Sequence, residues 1–117
     1  MVEPRFEWDN KHSIANMQNR LKQIENAVDK GLGDAGEVIG IAITMDAKRI
    51  VPVDTGKLRA SIDYDVNSPG DMVVEILVGT DVHYSVFVEA TQPYLRPAVN
   101  NNKSLIRSEI ESALRNI

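Results

Sequence analysis

Two stretches decide the fold of this chain: DAKRIVPVDTGKLRASI, from Asp46 to Ile62, and GTDVHYSVFVEATQPYLRPA, from Gly79 to Ala98. In the first, Lys48 and Arg49 suit the negative end of a helix dipole, so a helix ends there. Pro52 stops it by restricting Val51 and by lacking an amide donor. Asp54 or Thr55 can then cap a short turn through Gly56, Lys57, Leu58, Arg59 and Ala60. In the second, Gly79-Thr80-Asp81 closes a strand. Tyr84, Phe87 and Val88 fall at i, i+3 and i+4, which predicts a short helix within Val82–Glu89. Gln92 to Pro97 reads as extended, and Pro97 suits the first turn of a last helix, where a missing amide costs nothing.

Between the two stretches lies a hairpin. Ile62, Tyr64 and Val66 alternate with polar residues, and so do Val74, Ile76 and Val78, as half-buried strands do. The cluster Asn67-Ser68-Pro69-Gly70-Asp71 predicts the connecting turn.

Upstream, Ile14, Met17, Leu21, Ile24 and Val28 recur at steps of three and four, one apolar stripe along a helix that Asn10 or Ser13 could cap. Gly31 and Gly33 look like a stop signal, and Asp34 with Glu37 resembles a capping box. The stripe nevertheless keeps its phase through Leu32, Ala35, Ile39 and Ala42. The expectation is one long helix bent near Gly31–Gly33 or two nearly collinear ones. Gly31, Gly33, Gly36 and Gly40 each cost about 1 kcal/mol relative to Ala in a helix, and small residues on one face would let another backbone approach closely. Val38 to Met45 is apolar on most sides, which calls for cover on most sides, from the chain's own sheet and from a neighbouring subunit. A buried strand over Val38–Thr44 is the competing assignment.

Downstream, Val99, Ile106, Ile110, Ala113 and Ile117 mark a C-terminal amphipathic helix. At the other end, Phe6 and Trp8 share one side of a weakly alternating segment, an edge strand or a mobile arm within residues 1–12, with a terminus that merely orders on contact as the alternative to a functional arm. The fold class is α+β: a long N-terminal helix, a hairpin-based antiparallel sheet, a short helix and a C-terminal helix, in one domain of 117 residues.

Composition excludes several functions. The net charge of −4 disfavours a nucleic-acid clamp, which needs clustered Lys and Arg. Lys103, Arg107 and Arg115 share a helix face that reads as solvated. The absence of cysteine removes disulfides, thiolate metal sites and thiol nucleophiles. No apolar run approaches the roughly 20 residues of a membrane span, and no secretory leader is evident. No cofactor or metal is expected: His12 and His83 are the only imidazoles, and Asp81 beside His83 is one weak pair.

Asp54-Thr55-Gly56 matches the active-site triplet of aspartic proteases, whose chemistry needs two such aspartates facing each other across a dimer. Here Pro52 interrupts the approach and Lys57 follows, so the triplet reads as a corner. Gly56-Lys57 is no phosphate loop, because the upstream glycine is missing and Leu58 stands where Ser or Thr would hold a metal. Glu89, after an apolar helical turn, is expected to pair with Arg96 or Arg59. The chain is not expected to be an enzyme.

Three boxes in order carry a family resemblance: Pro52, Thr55, Gly56 and Leu58; then Gly79, Thr80, Tyr84, Val88 and Glu89; then Pro93, Tyr94, Leu95, Arg96, Pro97 and Ala98. With a helix on either side and a hairpin between, this resembles the phage tail-component (neck) family named after the tenth gene product of a lambda-like Hong Kong coliphage. Ser85 replaces that family's usual Ala and Tyr94 its Phe. Ala90-Thr91-Gln92 shortens the loop before the last box. The resemblance implies a non-enzymatic virion protein of a long-tailed phage or prophage, assembled in the host cytoplasm. It would complete the head–tail junction as a homo-oligomeric ring contacting other neck and tail proteins, with no specific nucleic acid and no membrane. An acidic ring would let DNA slide without trapping it. Pro52, Thr55, Gly56 and Leu58 are expected to fix the helix-to-sheet corner. Tyr84, Glu89, Tyr94, Leu95, Arg96 and Pro97 are expected to fix the second corner, and to form an interface or only the monomer fold. The alternative is a small α+β module that binds and regulates a cellular partner.

Overall fold

The computed structural model describes residues 10–52 and 56–115. Its spine is one helix, α1 (Asn10–Ile50), 41 residues long and so about 61 Å at 1.5 Å per residue. Of the two forms expected, the single long helix is the one found: α1 runs through Gly31–Gly33, no second helix opens at Asp34 and Glu37, and Val38–Thr44 is helical, not a strand. What the glycines face explains their tolerance. A β-carbon on Gly40 would lie 2.5 Å from the Tyr64 ring, and one on Gly36 2.8 Å from Val66 and 3.0 Å from Val74. Gly36 and Gly40 therefore seat the hairpin, and that packing offsets their poor helix propensity. At Gly31 the approach is by backbone, as expected for this face: the Ala113 carbonyl oxygen lies 3.2 Å from the same notional atom.

Pro52 ends α1 as expected, with the Val51 N–H still reaching the Ala47 carbonyl at 2.9 Å. The short helix α2 (Lys57–Ser61) follows. Its N-cap is Gly56 at φ 78°, without a side-chain cap, in place of Asp54 or Thr55. Asp54 and Thr55 lie outside the described residues, as do Phe6, Trp8 and most of the proposed arm.

Strands β1 (Asp63–Gly70) and β2 (Val73–Gly79) pair antiparallel, with Tyr64 opposite Val78 and Val66 opposite Ile76. The turn is not Asn67–Asp71. Pairing continues to Gly70 opposite Val73, and Ser68 and Pro69 together face Val74 in a bulge, a place where proline's missing amide is tolerated. The reversal falls on Asp71 and Met72, at φ 58° and 60°, the left-handed pair that a two-residue hairpin loop requires. Asp29 of α1 holds this tip, its Oδ1 accepting the Met72 N–H at 2.8 Å.

Helices α3 (Ser85–Thr91), α4 (Leu95–Asn101) and α5 (Lys103–Arg115) complete the chain. The expected single C-terminal helix is two, parted at Asn102, and α4 starts at Leu95 where extended chain was expected. Asn102 lies beside Asp46 and Ala113 beside Gly31, so α5 runs back antiparallel along α1. The core joins Ile39, Ile43 and Ala47 of α1 and Val51 just past its end to Leu58, Ile62, Val82, Tyr94 and Ala98. Cover is uneven. No residue from Ala15 to Ala27 is buried, and Val38, Ile41 and Met45, on the turns expected to be covered by the sheet and a neighbouring subunit, are exposed in the single chain. Phe87, expected on an apolar helix face with Tyr84 and Val88, is 73% exposed. No helix among the described residues is long and apolar enough to cross a membrane.

Candidate functional site

The two corners read from the sequence meet in space. Pro52, Gly56 and Leu58 of the first line one cleft with Tyr84, Val88, Thr91 and Gln92 around the second, enclosing about 250 Å³. Gly56 is at the left-handed φ that only glycine adopts without strain, which turns the chain so that Leu58 drops into the core. Thr55, assigned to the same corner, lies outside the described residues.

A hydroxyl relay fastens the corners together. The Thr80 hydroxyl donates to Ser61 Oγ, which donates onward to the Leu58 carbonyl at 2.7 Å. Thr80 Oγ1 in turn accepts the Val82 N–H at 3.1 Å. Each oxygen thus donates once and accepts once, so the partly buried relay leaves no donor unmet. Thr80 belongs to the second box, whereas Ser61 stands just past the first and carried no signal of its own.

Glu89 organises the second corner, though not as a salt bridge. Its Oε1 accepts the N–H groups of Tyr94 at 3.1 Å and Leu95 at 2.9 Å, and its Oε2 that of Arg96 at 3.3 Å. The next residue, Pro97, has no N–H, and Ala98 bonds back to the Tyr94 carbonyl at 3.3 Å. Every amide at the start of α4 is therefore accounted for. The first-turn place expected for Pro97 holds, because the proline supplies the one position the carboxylate need not serve. Partial burial alone would raise the Glu89 carboxyl, but the N–H groups of Leu95, Tyr94 and Arg96 and the Arg96 charge outweigh it and hold it below its ordinary value.

Tyr94 is wholly buried and closes the core beneath this cap. Burial, then the Glu89 charge, pushes its phenol up. Tyr84 is half-buried at the start of α3 and stacks edge-on with His83, ring centres 5.7 Å apart. Leu95 and Pro97 are half-buried and Arg96 is exposed. Lys103, Arg107 and Arg115 are all exposed, Arg115 with Glu111 at 3.9 Å. One contact had no local signal: Asn102 Nδ2 donates to Asp46 Oδ2 and to the Ala98 carbonyl, each at 2.7 Å, tying the α4–α5 break to the end of α1. The described lining of the cleft presents hydroxyl and amide groups on an apolar floor, a surface that packs and hydrogen-bonds.

A long helix, a hairpin seated on its glycines and two interlocked corners make up an α+β architecture, and the sequence that builds it gives the class, that of bacteriophage tail components. The sequence model of the family described as "Bacteriophage HK97-gp10, putative tail-component" matches residues 12–90, more than half of the chain, and the chain belongs to that family. The matched span runs through α1, the hairpin and most of α3 and ends before the Tyr94–Ala98 box. No curated protein and no solved structure matches the chain.

Proposed function

We propose that this protein is a non-enzymatic part of a long-tailed phage or prophage particle that completes the head–tail junction as a ring of identical subunits. One observation carries the reading. The stripe buried at Val28, Leu32, Ala35 and Ile39 continues on the same face of α1 as Met17, Leu21 and Ile24, and there it is exposed. An isolated helical stretch of that length is marginal in water, and an apolar face of that extent marks a contact surface. A subunit that projects an uncovered apolar helix from a locked body is suited to assembly. Other neck and tail proteins are the further partners, and the negative charge of the chain supports passage of DNA without capture.

Light scattering of the purified protein, alone and mixed with a tail-tube protein, tests this. A closed oligomer, alone or on mixing, is expected. A monomer that ignores the tail-tube protein would instead favour a binding module for a cellular partner. Binding of duplex DNA should be weak and insensitive to salt; tight binding at moderate salt would count against the channel role.

A further inference from the structure

A groove of about 460 Å³ opens beside the hairpin, lined by Ile39 of α1, Leu95 and Val99 of α4 and Ile76, Leu77 and Val78 of β2. Because it takes consecutive residues of β2 and none of β1, it lies along the edge of β2 that β1 leaves unpaired. Among the described residues the sheet has no third strand. An open strand edge beside an apolar groove is a template for an added strand: the edge supplies main-chain hydrogen bonds and the groove takes alternate side chains.

The chain contains a segment with the matching pattern. In Pro4-Arg5-Phe6-Glu7-Trp8, Phe6 and Trp8 fall on one face of an extended strand, with Arg5 and Glu7 on the other. Pro4 suits the first position of such a strand, where no amide is needed. Charge is complementary too. Glu3, Glu7 and Asp9 outnumber Arg5, while Arg96 and Lys103, in the helices whose Leu95, Val99 and Ile106 line the groove, are exposed.

The segment cannot reach the groove of its own subunit. Asn10 opens α1 and Ile39 lies 29 residues further on, about 44 Å along a helix. Phe6 stands four residues before Asn10 and spans at most about 14 Å of extended chain. Folded straight back along α1, it still falls roughly 30 Å short.

We propose that residues 4–8 of one copy add as a strand to the β2 edge of the neighbouring copy and seat Phe6 and Trp8 in its groove. The proposal rests on the assembly reading above and names its contact. Each copy gives an arm at one end and takes one at its body, a head-to-tail contact that closes a ring when the rotation allows.

The chain has no cysteine and one tryptophan, so both ends of the contact can be labelled cleanly. Full-length Phe6→Cys and Val99→Cys variants are mixed and oxidised, and the product is read on a non-reducing gel beside light scattering of the same samples. A disulfide-linked heterodimer is the expected main product. In the unmodified chain, Trp8 emission should shift to shorter wavelength as oligomer forms, and Leu77→Asp should abolish the shift. An oligomer without heterodimer and without an emission shift overturns the arm contact and leaves ring assembly standing. No oligomer at any concentration, alone or with the tail-tube protein, overturns both.

Discussion

The Glu89 carboxylate accepts the backbone N–H of Leu95 at 2.9 Å and serves the amides on either side of it as well. A side chain near the end of one short helix thus caps the start of the next, and the loop between, Gln92-Pro93-Tyr94, must be short for it to reach. Replacing Glu89 with Ala should cost about 1 kcal/mol, the usual worth of a lost helix cap. The same bonds set a pH dependence. The folded-state pKa is lowered, so the stabilisation is fully present above the unfolded value, about 4.3 for a glutamate, and is lost as pH falls from there through the folded value. Urea denaturation from pH 7 downward should show this acid-labile component in the unmodified chain, and Glu89→Gln should lack it.

Gly33 and Gly40 lie two turns apart on α1 and should respond to alanine with opposite signs. A methyl group on Gly40 meets the root of the Tyr64 ring, whose Cγ would be 3.0 Å away, and that ring is held by its hydroxyl on Glu37 at 2.7 Å. Overpacking of this kind costs about 1–3 kcal/mol, more than the gain in helix propensity of about 1 kcal/mol returns. At Gly33 the nearest atom, Ser68 Cβ, is 3.8 Å away, an ordinary contact. Gly33→Ala should therefore stabilise by roughly 0.5–1 kcal/mol and Gly40→Ala destabilise by about 1 kcal/mol, both read as shifts of the denaturation midpoint at constant slope.

These pairs also show what the sequence could disclose. Local chemistry made Pro52, Gly56 and Pro97 readable, because a proline or a left-handed glycine acts on its own backbone wherever the chain goes. Periodicity made the α1 stripe and both strands readable, since burial of one face imposes the spacing. Sequence left one long helix or two collinear ones open at Gly31–Gly33, and the single helix prevails because helix propensity is a weak prior: Tyr64, Val66, Val74 and Ala113 pack into the glycine face, and none is near it in sequence. Glu89 was singled out, but its partner was misjudged. A carboxylate five residues before Tyr94 reads as an ion pair until the chain is seen to turn its amides toward it. The bond from Asn102 to Asp46 spans 56 residues and leaves no mark on either neighbourhood.

The Ser61–Thr80 relay predicts energetic coupling between the corners. Ser61→Ala and Thr80→Val each remove one link of the partly buried chain, and the double variant removes both. A double-mutant cycle in urea should return a coupling energy of about 1 kcal/mol, as expected for one hydroxyl hydrogen bond. Zero coupling would mean that the two boxes are adjacent without being joined.

Asn102 offers a test whose pH dependence opposes that of Glu89. Its amide nitrogen lies 2.7 Å from Asp46 Oδ2, so Asn102→Asp replaces a hydrogen bond by two carboxylates in contact. Arg49, 3.4 Å from the other oxygen of Asp46, offsets only part of the repulsion because its own side chain is largely in solvent. The variant should lose about 1–2 kcal/mol at pH 7, combining the lost bond with the like-charge contact. Crowding raises the carboxyl pKa values of the folded variant above the ordinary aspartate value of about 3.9. A group raised in the folded state contributes stability at low pH and loses it as pH rises, so the deficit should shrink as pH falls toward about 4. Urea midpoints of the variant and the unmodified chain across that range decide the matter: a deficit constant with pH would show that Asn102 acts through its bond to the Ala98 carbonyl alone.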